Sequence, residues 1–261
     1  MKSFHIHVLP PLVLIVLIGV TSEALTRVFH IPPYLFPSPI EVLRSLFNHF
    51  QEVSRALGAT ALAALIGLSS SALGGAIFAL LLSLNAWIRR AFYPLVVFFQ
   101  TVPIIAIAPM MVIWVGYGFP SILLSAFIVS VSPIIANTLE GLLSADPALI
   151  ELFRLKRASP LKTLFLLRIP SAIPQFLTGL RIASGLAVIG AIVGEFVADT
   201  YDQGGGIGTL IVTAIKEQET ALVFASILGS TLLGLAFFMA VGTLTHFSLK
   251  WMHLPNGRIE P

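Results

Sequence analysis

Apolar residues fill this chain in long blocks that charged residues interrupt only sparingly. No Asp, Glu, Lys or Arg occurs from Ser3 to Ser22, none from Ala56 to Ile88, and none in the 49 residues between Arg90 and Glu140. At about 1.5 Å per helical residue the last run would extend about 74 Å, more than twice a hydrocarbon core of about 30 Å. It therefore predicts two membrane spans, with a turn at Gly116-Tyr117-Gly118-Phe119-Pro120. Over the whole chain the charge-free windows predict six transmembrane helices, at about 8–28, 55–85, 91–116, 120–142, 171–199 and 220–250. The expected fold class is all-α: a polytopic membrane helical bundle forming a single transmembrane domain over residues 1–261.

The segments between the spans carry their own signals. Ile31 to Pro39 is rigid and extended by its proline content. After it, Ile40, Val42, Leu43, Leu46 and Phe47 share one helical face with Glu41 and Arg44 opposite, which predicts a short interfacial helix. In the 143–170 segment, Asp146-Pro147 and Ser159-Pro160 are two helix starts, each an N-cap followed by proline at the first helical position. They predict a helix to about Arg157 and a second to about Ile169, with Pro170 and Pro174 marking the start of the fifth span. Gly204-Gly205-Gly206-Ile207-Gly208 lies in the 200–219 loop without the Lys-Ser/Thr of a phosphate loop, and reads as a flexible turn.

Composition agrees and excludes several classes. The chain is 57% hydrophobic and 10% charged, against about 25% charged in soluble domains. It has no cysteine, hence no disulfide framework and no thiolate metal site. His5 and His7 are two residues apart and do not share a helical face, so no metal site is expected. The net charge of +3 is informative loop by loop and is no sign of nucleic-acid affinity. With an even number of spans, ten basic residues (Lys2, Arg89, Arg90, Arg154, Lys156, Arg157, Lys162, Arg168, Lys250, Arg258) fall on one side and four (Arg27, Arg44, Arg55, Lys216) on the other. The positive-inside rule then puts both termini and the 143–170 loop in the cytoplasm.

The 146–174 segment carries the strongest functional signal. Glu151, Arg154, Lys156, Arg157, Lys162 and Arg168 supply charge, and Leu149, Leu152, Phe153, Leu161, Leu164 and Phe165 supply apolar faces. A loop that merely orients the chain needs charge but no capped amphipathic helices, whereas a partner's groove accepts such a helix. The segment resembles the signature loop of inner-membrane permeases of ATP-binding cassette (ABC) importers. Glu151 stands at its opening Glu, and Ile169-Pro170 at its closing Leu-Pro. Pro37-Ser38-Pro39, Thr101-Val102-Pro103, Ala108-Pro109, Ile113 to Gly116, Asn137-Thr138 with Gly141, Gly179-Leu180-Arg181, Gly194-Glu195-Phe196 and Gly206-Ile207-Gly208 follow, in order, the nitrate/sulfonate/taurine-type branch. Two departures stand out. Leu152-Phe153 replace Ala-Ala, and Arg157 replaces the Gly that breaks the loop between its helices, leaving that break to Ser159-Pro160. The fifth span, Ala183 to Ala191, lacks the Ala-Trp pair common in nitrate and sulfonate members and is more similar to permeases assigned to pyrimidine vitamin precursors or riboflavin.

The resemblance implies a MetI-like permease fold and a division of labour. The chain would form a dimer, usually of identical subunits, around a central pathway. Two ATPase subunits carrying ATP and Mg would bind the cytoplasmic loops, and an extracytoplasmic binding protein would deliver the solute. It implies that Glu151, Leu152, Phe153, Arg154, Arg157, Ala158, Ser159, Pro160 and Pro170 form the ATPase-coupling loop. No GxxxxGK[ST] motif occurs in the chain, so no nucleotide cofactor is expected on it. Polar residues inside the spans are the pathway candidates: Gln100, Thr101, Asn137, Arg181, Glu195 and Asp199. The competing expectation is a secondary transporter or channel. It accounts for the spans but gives the folded loop no purpose, and no internal repeat supports it. An intramembrane enzyme would need convergent nucleophile, base or metal ligands, and no such set is evident.

Overall fold

The computed structural model describes residues 2–198 and 205–251, and every regular element among them is a helix. In chain order these are α1 (Lys2–Val28), α2 (Pro39–Asn48), α3 (Phe50–Leu84), α4 (Ala86–Thr101), α5 (Ile104–Val115) and α6 (Phe119–Leu143). Then come α7 (Pro147–Leu155), α8 (Pro160–Thr163), a π-turn over Leu164–Arg168, α9 (Ile169–Ala198), α10 (Ile207–Lys216) and α11 (Thr220–Trp251). Among the described residues α3, α6, the continuous stretch Pro160–Ala198 and α11 are each long and apolar enough to cross a membrane, and α4 with α5 passes as a bent pair. Helix α1 occupies the place of the first expected span.

Three expectations need correction. The third span is two helices, α4 and α5, whose axes differ by 106°. The break falls where Val102 and Pro103 are extended (ψ 125° and 114°), because a residue before proline is driven out of the helical region. Pro94 and Pro109 stay inside their helices. The second helix of the 143–170 loop does not end before the fifth span. It runs on through the π-turn, where the Ile169 N–H reaches back to the Leu164 carbonyl just ahead of Pro170. Pro170 and Pro174 are thus interior to one 39-residue rod, Pro160–Ala198. Finally, the 200–219 loop is no simple turn, because α10 occupies 207–216 with Ile207, Leu210, Ile211 and Ala214 buried.

The core is made of small residues. In lipid no hydrophobic drive pushes apolar helices together, so close packing and interhelical hydrogen bonds must do it. On α9, Gly179, Ala183, Ala187, Gly190, Gly194 and Ala198 recur at helical spacing and are all buried. A Cβ added at Gly190 would lie 2.8 Å from the Ala126 Cα, and one at Gly194 2.8 Å from the Ile122 Cα, so α9 and α6 touch backbone to backbone. Helix α3 packs against both α6 and α9. Gly67 lies against Ala126, and the Ser71 hydroxyl sits 2.7 Å from Ser130 Oγ and donates to the Phe127 carbonyl at 2.9 Å. Helix α2 opens on a capping box between Ser38 and Glu41. Its Ile40, Leu43 and Phe47 point away from the bundle, as an interfacial helix requires.

Gly190→Val should therefore destabilise the bundle by about 1–3 kcal/mol through overpacking. Gly185→Ala, where an added Cβ meets nothing within 4 Å, should not destabilise it and should add up to about 1 kcal/mol from helix propensity. Thermal unfolding of the two variants in one detergent checks the contrast.

Candidate functional site

The α7–α8 knuckle is built by caps. Asp146 Oδ1 accepts the Ala148 N–H at 2.8 Å, and Pro147 opens α7 at a position where no N–H is needed. At the other end Arg157 has φ 51°, its N–H bonds the Arg154 carbonyl at 2.9 Å, and the Ala158 N–H bonds the Phe153 carbonyl at 2.9 Å. This is a Schellman ending whose left-handed position normally favours glycine. Arg157 itself makes the break, which corrects the expectation that Ser159-Pro160 does so alone. Ser159 then caps α8, its hydroxyl accepting the Lys162 N–H at 3.3 Å.

Leu164 and Leu167 anchor the knuckle. Leu164 packs in one cluster with Leu82, Leu139, Leu142 and Ala172, at the end of α3, α6 and α9. Leu152, Leu155, Leu161 and Phe165 remain uncovered. The pair Arg154–Glu151, 3.8 Å apart and largely in solvent, contributes little. The arrangement is a rigid two-helix corner with a bare apolar face and a basic rim, joined without interruption to the most enclosed helix of the bundle.

The opposite end of α9 holds a polar knot. Glu195 is 2% exposed. The Thr60 hydroxyl, 2.8 and 3.0 Å from its two carboxylate oxygens, donates to it, and the Gly208 N–H donates to Oε2 at 2.8 Å. Thr60 in turn accepts the Ile207 N–H at 2.8 Å. The carboxylate thus faces the N-terminus of α10, where negative charge is favoured. Glycine is required here, because a Cβ on Gly206 would fall on the carboxylate and one on Gly208 would lie 2.6 Å from the Ile192 carbonyl. The two motifs Gly194-Glu195-Phe196 and Gly206-Ile207-Gly208 are therefore two halves of one contact.

The pathway candidates lie in separate places. Gln100 and Thr101 are exposed beside the α4–α5 bend, with the Thr101 hydroxyl donating to the Phe98 carbonyl at 2.8 Å. Asn137 sits at the α6–α9 crossing and donates to the Pro133 carbonyl at 2.8 Å, close to Gly179. Arg181 turns to α11, its guanidinium 4.3 Å from the Phe238 ring centroid. Glu195 is enclosed in the knot, and Asp199 falls outside the described residues. Sequence reasoning missed Thr60, an isolated threonine in an uncharged span whose partners lie 135 and 147 positions away. Among the described residues no group of three or more His, Asp or Glu could hold a metal ion.

The structure is thus a multi-pass helical bundle with a capped knuckle on a through-going helix. Residues 71–253 match the family described as the binding-protein-dependent transport system inner membrane component, and the chain belongs to that family. A probable ABC transporter permease protein of Haemophilus influenzae is 33% identical over 95% of this chain and 96% of that protein. The formylaminopyrimidine transport permease protein ThiX of Halalkalibacterium halodurans is 37% identical over 84% of this chain and 86% of its own length. The fold matches the inward-facing MetNI methionine ABC transporter with a TM-score of 0.58 at 18% identity, over 81% of this chain and 97% of the matched one. The chain is an ABC importer permease of the nitrate/sulfonate/taurine branch with the MetI-like fold.

Two variants probe the local chemistry. Arg157→Gly should raise stability by about 1 kcal/mol by relieving the left-handed conformation. Glu195→Ala should lower it by about 2–3 kcal/mol, because the Thr60 hydroxyl and Gly208 N–H lose a charged acceptor. Denaturant titration of both proteins reads these shifts.

Proposed function

We propose that this chain forms, with a second copy of itself, the membrane pathway of an importer driven by two separate ATPase subunits. In this reading the α7–α8 knuckle is the docking element for the ATPase, and the knuckle and both termini face the cytoplasm. An extracytoplasmic binding protein delivers the solute to the other end. The observation that carries the reading is the uninterrupted Pro160–Ala198 rod. A displacement of the knuckle by a partner's groove moves the helix most tightly packed in the bundle, so the work of ATP hydrolysis reaches the pathway without a flexible joint. Bare Leu152, Leu155 and Phe165 supply the apolar contact, and Arg154, Lys156 and Lys162 supply the charged rim.

The solute that fits best is a pyrimidine-type vitamin precursor or a riboflavin-like heterocycle. The small-residue run Ala183 to Ala191 supports it, and so does the 37% identity to a formylaminopyrimidine permease. A small oxyanion such as nitrate, a sulfonate or taurine is the second candidate, favoured by the branch as a whole. Gln100, Thr101, Asn137 and Asp199 remain the polar positions from which solute contacts would be drawn, Glu195 being enclosed in the polar knot.

Purification from native membranes should recover the chain with an ATPase subunit. Glu151→Ala and Phe153→Asp should reduce ATP-dependent uptake into proteoliposomes by tenfold or more without lowering the unfolding temperature of the bundle. Normal uptake by both variants, or uptake by the chain alone under an ion gradient, would refute the coupling.

A further inference from the structure

An open-sided groove of about 540 Å³ runs between α9 and α11, lined by Ile182, Leu186, Ile189 and Ile192 on one side and by Leu235 and Phe238 on the other. Two glycines, Gly185 and Gly234, form part of its lining, and a Cβ at either would meet nothing within 4 Å. The groove is therefore wide at its middle. It offers no free polar partner: its hydroxyls, Ser230 and Thr231, both donate to the Ile227 carbonyl at 2.8 Å. A polar solute would lose its hydrogen bonds here, whereas a hydrocarbon chain would not.

One charge stands at the knuckle-side end of this groove. Arg181 lies one position before Ile182, its guanidinium over the Phe238 ring and beside Gly242. It is exposed, and no carboxylate pairs with it among the described residues. Its depth is informative. Arg181 precedes Ala198, which accepts the Gly118 N–H at the opposite end of the bundle, by 17 residues, or about 25 Å of helix. With Ala198 taken as the opposite edge of a hydrocarbon core of about 30 Å, the Arg181 backbone lies about 5 Å inside the knuckle-side boundary, within reach of a side chain that extends to the interface.

We propose that this groove is a lipid site. It holds one acyl chain of an anionic phospholipid from the knuckle-side leaflet, with the headgroup phosphate bound by Arg181. The guanidinium has no carboxylate partner among the described residues and would favour an anion, and its depth matches a headgroup. The groove beyond it requires hydrocarbon. The site would stabilise the α9–α11 contact and make the bundle sensitive to the charge of that leaflet.

The full-length chain, reconstituted in vesicles of phosphatidylcholine and phosphatidylglycerol and released for native mass spectrometry, tests this. The chain should retain phosphatidylglycerol over phosphatidylcholine by about tenfold, the size of one charge-assisted hydrogen bond. Arg181→Gln should abolish the preference and Arg181→Lys should keep most of it. Gly185→Leu, whose Cβ would meet nothing within 4 Å and whose side chain would occupy groove space, should reduce retention of both lipids with Arg181 intact. An unchanged preference in Arg181→Gln would overturn the proposal. So would lost uptake in that variant with lipid retention intact, which would make Arg181 a contact for an anionic solute. A disulfide between two copies carrying Ile189→Cys, in a chain with no other cysteine, would also overturn it, because a second copy would then cover the groove.

Discussion

Helices α6 and α9 lie so close that no side chain larger than a hydrogen fits at several of their crossings, and the rest of the molecule is arranged around that approach. Gly141, Gly179, Gly190 and Gly194 each face backbone or Cβ atoms of the other helix at distances a methyl group could not occupy. Dispersion between two backbones in such contact is what lipid cannot supply in their place, because tails pack as well as leucine against an ordinary apolar face. Helix α3 is added by the same means through Gly67 and Gly75, with Ser71 and Ser130 supplying a hydrogen bond in the seam. The result is a stiff three-helix centre with few long side chains, whose packing leaves little room for gradual deformation.

Stiffness gives the two ends of α9 their meaning. At one end the rod continues past the bundle into α8 and the knuckle, and the π-turn at Leu164–Arg168 accommodates Pro170 without breaking it. At the other end the Glu195 carboxylate holds α10 through Thr60, Gly206 and Gly208, tying α3, α9 and α10 into one polar contact. A partner bound at the knuckle and a solute arriving near α10 would therefore address opposite ends of a single mechanical element. The α4–α5 pair is less constrained. Its aromatic residues Phe92, Phe99 and Trp114 line an apolar cavity of about 530 Å³ with Phe78 and Phe127, and most of its surface is uncovered.

Left-handed residues mark the sharp ends of three helices. His30, Arg157 and Gln218 all have positive φ, and each follows a helix whose final carbonyls it and the next residue satisfy. None is glycine, so each conformation is held by its surroundings rather than favoured by the residue. At Arg157 this keeps a long cation at the outer corner of the knuckle, where glycine would leave none.

The amino-acid order by itself determined the membrane class, the positions of most spans and the capped knuckle, because these follow from local quantities. Charge-free length sets a span, and Asp146-Pro147 and Ser159-Pro160 carry their helix starts within two or three residues. Gly116 and Gly118, with φ of 88° and 90°, turn where the Gly-Tyr-Gly-Phe-Pro pattern places them. Only the tertiary structure decided the rest. The break between α4 and α5 fell at Pro103 and not at Pro94 or Pro109. All three prolines carry the same local bias against a helical predecessor, so no local pattern chooses among them. Helix α10 was hidden because its starting cap is not a neighbour in sequence but Glu195 and Thr60, brought in from two other helices. Arg181 and Glu195 looked alike as charges in one span, yet one is exposed on an aromatic ring and the other is sealed under a helix N-terminus. The difference lies in what packs against each face of α9, a relation between distant segments that no local pattern contains.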